Sequence, residues 1–233
     1  MTALPPAFRS AWHAVAGAVG IGPGTSLLDL GCGRGEFCAF AARRGARVHG
    51  LDVEPDAIAQ ALEEVPGGDF RLGMMESLPW APESFDAVTA LNSVQYAMDP
   101  ELALSEAARV SRPSGKIGVC KWGEVAQNEF FAFLVSFGAG GVRGERLPAT
   151  DPVEDAVRAT RLEVLLTAEV PAPIEMADDA SLIASLARAG IMADPIAAPA
   201  PGAISAAAAP YRRADGTYRF ENQLRFWVLR RHR

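Results

Sequence analysis

The stretch that decides the fold runs from Leu27 to Phe37 and reads L-L-D-L-G-C-G-R-G-E-F. It begins with a short apolar run that contains one acid, Asp29, and glycines then follow at every second position. Helix-forming residues continue from Phe37 to Arg44. A strand, a tight glycine turn and a helix form the unit that opens nucleotide-type α/β domains. Glycine is needed in this turn because the backbone visits dihedral angles that other residues avoid, and because a ligand lies against bare backbone.

Two carboxylates flank this loop and bear on the charge of its ligand. Asp29 precedes the glycines, and Glu36 stands where the helix begins. A dinucleotide site holds a pyrophosphate at this helix end, and two acids would repel it. They suit S-adenosylmethionine, which carries an ammonium and a sulfonium and no phosphate, better than NAD. Glu36 has a second interpretation, since an acid is favoured at any helix N-terminus, whereas Asp29 in a buried strand needs a partner.

Length, charge and cysteine usage limit the class of protein. We expect 233 residues to form one α/β domain over 1–233 with an insertion. A net charge of −6 argues against general nucleic-acid binding. Cys32, Cys38 and Cys120 have no zinc spacing, which predicts free thiols, no metal site and a cytoplasmic location. Because no stretch approaches the ~20 apolar residues of a membrane helix, we expect no membrane partner. We expect a monomer or a homodimer.

Strand and helix patterns alternate from the amino terminus to residue 122. The predicted helices span 5–20, 35–44, 55–64 and 99–110, and the predicted strands span 25–30, 47–51, 69–72, 84–91 and 116–122. Phe8, Trp12, Val15 and Val19 give the first helix one apolar face. The alternation predicts a parallel sheet that is covered by helices.

Asp52 ends the second predicted strand, 21 positions after Gly31. At the carboxyl end of a strand next to the glycine loop, a carboxylate can accept both hydroxyls of a ribose. The same acid could instead cap the helix that starts at Pro55. Both interpretations remain open from the sequence.

Four linked motifs carry a family resemblance. L-L-D-L-G-C-G-R-G, G-L-D-V, E-S-L-P-W-x-P-E-S-F-D-A-V and E-A-A-R-V-S-R-P-S-G-K-I follow one another between residues 27 and 117. Together they resemble the class I S-adenosylmethionine-dependent methyltransferases, in particular the small-molecule group related to quinone-biosynthesis methyltransferases. The resemblance covers about 22–122 and, more loosely, 178–229. It implies a doubly wound, Rossmann-like, mostly parallel sheet of seven strands in which the last strand is antiparallel.

The resemblance also implies a cofactor site, residue by residue. Asp29, Gly31 and Gly33 match the cofactor loop, and Asp52 matches the ribose-binding acid. Val53 would face the adenine. The predicted cofactor-binding residues are Asp29, Gly31, Cys32, Gly33, Asp52, Val53, Met74, Met75, Glu76, Asn92 and Gln95.

This sequence departs from the family at two places. The family often has an acid at the position of Met74, which holds the adenine amine; a methionine can only pack on the ring, so recognition there would be apolar. The family often has histidines at the positions of Asn92 and Ser93, and their absence removes the obvious general base.

Residues 123–177 break the strand–helix alternation and are expected to form a helical lid after strand five. Phe130, Phe133, Leu134 and Phe137 share one helical face, which would either dock on the core or line an apolar acceptor pocket. Asp151 to Glu154 resembles a capping box, and its helix is predicted to reach about Thr167.

The remainder of the chain is predicted to complete the sheet. We expect a helix from Asp178 to Ala189, a weak strand near 191–197 and a long strand from Phe220 to Leu229. The last 23 residues contain seven arginines beside aromatic residues. An RNA surface is one interpretation of this composition; charged ends of strands that discourage edge pairing explain it more simply.

The predicted function is methyl transfer to a small, partly apolar or aromatic acceptor by O-, N- or C-methylation, driven mainly by positioning. His13, Tyr96 and Glu124 are weak candidates for a catalytic residue, and none has a diagnostic pattern. The residues predicted to contact the acceptor are Trp12, Tyr96, Trp122, Asn128, Phe131 and Tyr211. A nicotinamide oxidoreductase is the rival enzyme. The rival in the same fold binds S-adenosylmethionine without methylating, as a scaffold, a sensor or a ring-closing catalyst.

Overall fold

The computed structural model describes residues 7–136, 151–188 and 200–232. Its strands are β1 (Ser26–Leu30), β2 (Arg47–Asp52), β3 (Asp69–Leu72), β4 (Phe85–Leu91), β5 (Ser111–Trp122), β6 (Leu162–Pro171), β7 (Ile174–Met176), β8 (Tyr218–Phe220) and β9 (Gln223–Arg231). Seven of these strands form one sheet in the order β3-β2-β1-β4-β5-β9-β6, and β7 pairs with β8 separately. Only β9 runs antiparallel to its neighbours β5 and β6. This topology confirms the predicted doubly wound sheet of seven strands.

Helices cover both faces of the sheet. They are α1 (Ala7–Val19), α2 (Glu36–Ala42), α3 (Pro55–Glu64), α4 (Pro100–Val110), α5 (Glu129–Ser136), α6 (Pro152–Ala159), α7 (Asp179–Arg188) and α8 (Pro201–Ala208). In β1, Leu27 belongs to the apolar cluster under α1 and α2. Leu28 belongs to the opposite cluster, under α4 and α6. Every residue of β1 is buried, because a parallel strand between two helical layers has no solvent-facing side.

The predicted first helix is confirmed, and its apolar face is buried against the sheet. Phe8, Trp12, Val15 and Val19 are all buried. Val15 and Val19 lie so close to Gly118 of β5 that a Cβ at that position would overlap them. The absence of a side chain at Gly118 therefore lets α1 pack directly on the centre of the sheet.

The predicted lid at 123–177 is wrong in its second half. The helix capped by Asp151 ends at Ala159, and Leu162–Pro171 is the edge strand β6 rather than a helix that continues to Thr167. Helix α6 packs on the α4 side of the sheet through Val153 and Val157. It is therefore the crossover helix between β5 and β6. Every second residue from Leu162 to Val170 is apolar, and this period-two pattern was the signal for a strand.

An additional layer comes from two separate parts of the chain instead. One part is α5, and the other lies between β6 and β9 and contains β7, α7, α8 and β8. They join through an aromatic cluster in which Phe133 lies 5.1 Å from Phe220 and 6.3 Å from Tyr211 between ring centroids. Phe133 and Leu134 thus dock on the core, while Phe137 and the predicted strand 191–197 lie outside the described residues.

The arginines near the carboxyl terminus pair with carboxylates. Arg225 contacts Glu154 and Glu169, and Arg230 contacts Glu163 across the β6–β9 pair. Further pairs are Arg212–Asp179, Arg213–Glu175, Arg219–Glu175, Arg219–Glu221 and Arg231–Glu83. The described arginines of this region are therefore matched by neighbouring acids, as expected for charged strand ends.

We predict that the aromatic cluster carries much of the stability of the additional layer. Phe133→Ala should lower the free energy of unfolding by about 3–5 kcal/mol, because it removes a fully buried ring and leaves a cavity. Val135→Ala in the same helix is the control. Its side chain is more than half exposed, so it should change stability by less than about 0.5 kcal/mol. Urea denaturation measures both, and equal effects would contradict the packing described.

Candidate functional site

The glycine loop after β1 is held by backbone hydrogen bonds to the end of β2. The N–H groups of Gly31 and Cys32 donate to Leu51 O at 2.8 and 3.0 Å. Gly31, Gly33 and Gly35 have φ of 68°, 54° and 83°, the left-handed region that favours glycine. At Gly31 a Cβ would also overlap the side chain of Ser93. The loop therefore presents bare backbone at the carboxyl edge of the sheet.

Asp52 lies at the end of β2 and completes this tie. Its Oδ2 accepts from Gly33 N at 2.8 Å, and its Oδ1 accepts from Glu54 N at 3.0 Å. These bonds fix the carboxylate beside the loop. Each carboxylate oxygen accepts more than one hydrogen bond, so both retain capacity for a hydroxyl donor. Neither bond caps α3 through its N2 or N3 amide, so the arrangement favours a ligand contact over the capping alternative.

A cavity of about 580 Å³ opens at the carboxyl ends of β1 to β4. It is lined by Gly31, Leu51, Asp52, Val53, Gly73, Met74, Met75, Glu76, Asn92, Ser93, Tyr96, Ala97 and Met98. Open α/β sheets hold ligands at this edge. Seven of the predicted cofactor residues line the cavity: Gly31, Asp52, Val53, Met74, Met75, Glu76 and Asn92. These predicted residues therefore gather at one cavity, and their contact with a cofactor stays a prediction.

Four predicted cofactor residues do not line this cavity. Cys32 and Asp29 are buried beneath the loop, and Gly33 reaches the site through its hydrogen bond to Asp52. Gln95 lies beside the cavity and donates from Nε2 to Asn92 Oδ1 at 2.7 Å. These residues support the walls of the cavity rather than forming its surface.

Asp29 has the buried partner that its position requires. Thr89 Oγ1 donates to Asp29 Oδ1 at 2.6 Å, and Cys38 Sγ lies 3.9 Å from Oδ2. Burial raises the pKa of Asp29 to about 7, against the lowering effect of the Thr89 hydrogen bond. The residue therefore anchors β1 to β4 and α2 under the glycine loop.

Asn92 and Ser93 turn the chain at the end of β4. Asn92 adopts φ of 58°, and its N–H donates to Cys120 O at 2.6 Å. Ser93 Oγ donates to Leu30 O at 2.6 Å, which joins the end of β4 to the end of β1. Asparagine tolerates the left-handed conformation better than most residues. Ser93 is a site residue that sequence reasoning noticed only as the departure from a family histidine.

Glu76 closes one wall of the cavity. Its Oε1 accepts from Met98 N at 2.7 Å and from Asp99 N at 3.3 Å. The carboxylate thereby joins the loop after β3 to the segment before α4. Met98 and Ala97 line the cavity because of this link, and sequence reasoning missed both, since neither carries a recognisable motif.

The three weak catalytic candidates fall in different places. Tyr96 lines the cavity and is exposed. His13 contacts Arg44 at 2.9 Å and the ring of Phe40, near the far end of α2 from the glycine loop. Glu124 lies 3.8 Å from Arg225 in the ion-pair group on β9. Only Tyr96 is therefore next to the cavity.

The other predicted acceptor contacts are engaged in packing. Trp12 is buried against Phe37 and Phe40. Asn128 is buried; its Nδ2 donates to Glu124 O and its Oδ1 accepts from Gln223 N. Phe131 packs on Trp122 at 6.0 Å, and Tyr211 packs on Phe220 at 4.7 Å. None of these five lines the cavity, and periodicity could not separate a packed aromatic residue from a pocket wall.

The charge of the cavity is negative. Asp52 and Glu76 are the charged residues among those that line it, and the lining set contains no lysine, arginine or histidine. An anionic pyrophosphate would lack a counter-charge there, whereas a cationic ligand with a ribose diol fits the groups present. Within the described residues, no group of three histidine, cysteine or acidic side chains is placed to hold a metal ion.

Comparisons with known proteins agree with this geometry. Residues 28–119 match the family described as "Methyltransferase domain". A ubiquinone biosynthesis O-methyltransferase of Sinorhizobium medicae is 32% identical over 154 residues, which is 60% of this chain and 61% of that relative. A malonyl-[acyl-carrier protein] O-methyltransferase of Serratia marcescens is 37% identical over 95 residues, 41% of this chain and 37% of that relative.

Residues 28–119 therefore carry a methyltransferase domain. A TehB-like SAM-dependent methyltransferase of Corynebacterium glutamicum has the same fold, with a TM-score of 0.54, 16% identity, and coverage of 96% of this chain and 89% of its own.

Two features limit what the relatives say about this methyltransferase domain. The alignments to curated relatives span 35–61% of those relatives' own lengths. The solved [4+2]-cyclase SpnF has the same fold, with a TM-score of 0.61, 22% identity, and coverage of 95% of this chain and 80% of its own. No described helix of this methyltransferase domain is both long and apolar enough to cross a membrane.

We predict that alanine substitutions at Gly31 and Gly33 differ in their cost to stability, because only the one at Gly31 adds steric overlap to conformational strain. Gly33→Ala should cost about 1–2 kcal/mol, the ordinary penalty for a side chain in the left-handed region. Nothing lies near a Cβ at that position. Gly31→Ala meets the same strain and also overlaps Ser93, so its cost in unfolding free energy should be clearly larger. Equal costs in urea denaturation would contradict the close approach of the two turns.

We predict a pH signature for Asp29. Its folded pKa of about 7 lies above the ordinary value of 3.8, so between these values the folded state holds a proton that the unfolded state has lost. This group therefore stabilises the fold below pH 3.8, and each unit of rising pH up to about 7 removes at most about 1.4 kcal/mol. Asp29→Asn removes this dependence.

Urea denaturation of both proteins between pH 4.5 and 8 measures the effect, because other titrating groups cancel in the difference. The stability of the wild type relative to Asp29→Asn should fall up to about pH 7 and level off above it. Parallel curves would show that Asp29 is ionised in the fold throughout this range.

Proposed function

We propose that this protein transfers a methyl group from S-adenosylmethionine to a small, partly apolar or aromatic acceptor. The observation that carries the proposal is the Asp52 carboxylate, fixed beside the glycine loop in a cavity with acidic and apolar walls. Asp52 would accept the ribose hydroxyls, and Val53, Met74 and Met75 would contact the base. Gly31 and Asn92 would face the methionyl end.

Positioning is the mechanism that these residues support best. The bound cofactor supplies a methyl group that is already electrophilic. The chain must align an acceptor atom with that methyl group and exclude water, and such alignment is worth about 7–11 kcal/mol in favourable cases. Among the cavity-lining residues, none is a histidine, so proton removal by that route has no candidate there. An acceptor that ionises readily near neutral pH is therefore favoured.

The same lining residues also support a second function in this fold. A cavity without an evident general base also suits a protein that binds S-adenosylmethionine and does not methylate, as a scaffold, a sensor or a ring-closing catalyst. The likeness to SpnF extends over most of both chains, but at 22% identity it concerns the fold alone.

A panel assay distinguishes the two functions. The purified protein is incubated with S-adenosylmethionine and, in turn, with phenols, amines and acidic carbon compounds, and release of S-adenosylhomocysteine is measured. Methyl transfer predicts release that depends on at least one acceptor. Cofactor binding by calorimetry together with no release from any acceptor would favour the non-methylating function.

The cofactor assignment has its own test at Asp52. Asp52→Asn should weaken binding of S-adenosylhomocysteine by about 1–3 kcal/mol, because a charged acceptor of hydroxyl hydrogen bonds is lost. Glu54→Gln removes a charge from the exposed neighbouring residue and controls for the general field. Calorimetry measures both affinities.

The ligand-free melting temperature shows separately whether the Asp52 change disturbs the glycine loop. An affinity that is unchanged in Asp52→Asn would refute the ribose contact.

A further inference from the structure

The end of the cavity beyond Asp52 is apolar and open. Val53 is 58% exposed and Met74 is 45% exposed, and Tyr96 and Met98, which also line the cavity, are 77% and 84% exposed. Exposed apolar side chains that lie together mark a surface where a ligand or a partner binds. These four residues are called the base slot below, and the proposed function places the adenine ring against two of them, Val53 and Met74.

The carboxylates near the base slot are already engaged with the backbone. Glu76 Oε1 accepts from Met98 N and Asp99 N, and Asp99 Oδ1 accepts from Leu102 N at 3.0 Å as the cap of α4. Asp52 is held by Gly33 N and Glu54 N. Each of these acids thus has a structural function. Glu76 Oε2 takes no part in these bonds, so rejection of the dimethyl derivative in the test below would assign the amine to this oxygen. None of the four side chains of the base slot carries a carboxylate or an amide that could accept from an exocyclic amine.

Because the base slot is exposed, it also has room for a substituted ring. A ring packed between Met74 and Val53 would be gripped by its faces, and its edge would point toward solvent past Tyr96 and Met98. Methionine is unbranched and adapts its shape to the group it contacts. A substituent on the ring edge would therefore meet neither a lost hydrogen bond nor a rigid wall.

We propose that the base slot recognises adenine by its faces and does not read the exocyclic amine, so that the protein binds cofactors substituted at that nitrogen. The inference rests on the proposed function, because it requires that S-adenosylmethionine binds with its base between Val53 and Met74. Met74 is the specificity-determining residue. It makes the slot tolerant because it offers surface contact without a hydrogen-bond acceptor of useful strength.

Calorimetry with three ligands tests the proposal on the whole chain. The ligands are S-adenosylhomocysteine, its N6,N6-dimethyl derivative, which has no exocyclic N–H to donate, and its N6-benzyl derivative, which tests the room at the ring edge. The wild type should bind all three within about fivefold. A hydrogen bond to a charged acceptor is worth about 1.5–3 kcal/mol, so a slot that reads the amine would reject the dimethyl derivative by at least about tenfold.

Two variants locate the effect at Met74. Met74→Asp adds a carboxylate to the slot and should create a preference of at least about tenfold for S-adenosylhomocysteine over the dimethyl derivative. Met74→Leu retains an apolar side chain and should keep the three affinities within about fivefold. Because Met74 is partly exposed on a loop, both variants are expected to fold, and their melting temperatures verify this.

The outcomes separate the two proposals. Binding of S-adenosylhomocysteine together with rejection of the dimethyl derivative by the wild type overturns the base-slot proposal alone. Binding of none of the three ligands overturns the proposed function, and the base-slot proposal with it. Similar affinities in the wild type and a new preference in Met74→Asp support the proposal.

Discussion

The tie between the glycine loop and the end of β2 is the constraint on which the rest of the site depends. Two loop amides donate to Leu51 O, and a third donates to the Asp52 carboxylate. These bonds satisfy amides that would otherwise point unpaired into the edge of the sheet. They also fix the Asp52 carboxylate at the wall of the cavity. The same small set of hydrogen bonds therefore closes the fold at this edge and holds the charge of Asp52 at the cavity.

The same set of bonds explains why Asp29 can be buried beneath the loop. The negative charge of Asp52 and burial both raise the pKa of Asp29, and burial is the larger effect. A neutral Asp29 can accept from Thr89 while adding no second full charge to the crowded edge. Asp29, which the sequence suggested as a sign of the ligand's charge, therefore serves mainly to join β1 to β4 beneath the loop. Asp52 and Glu76 set the sign of the cavity.

Local chemistry determined how much could be predicted from the sequence. The turn at Gly31, the acid at Asp52 and the helix predicted from residue 99 each follow from short-range rules, and the structure has all three in place. β6 was missed because a strong helix cap at Asp151 biased the interpretation of the residues that follow Ala159. Trp12 and Asn128 were assigned to an acceptor pocket because their residue types suit one. Only tertiary contacts could show that α2 and β9 use them.

The contacts that fix each of these residues determine which of them could be substituted if the acceptor changed. Residues predicted to contact the cofactor, such as Gly31 and Asp52, are fixed by backbone hydrogen bonds, so substitution there carries a cost in stability. Trp12 is fixed by packing on α2, and Tyr211 is fixed by packing in the additional layer, so neither can change freely. Tyr96 is the predicted acceptor residue that is both exposed and next to the cavity. It lies on the short turn between β4 and α4, where a side chain can change without disturbing a strand, and such turns are where α/β domains vary their specificity.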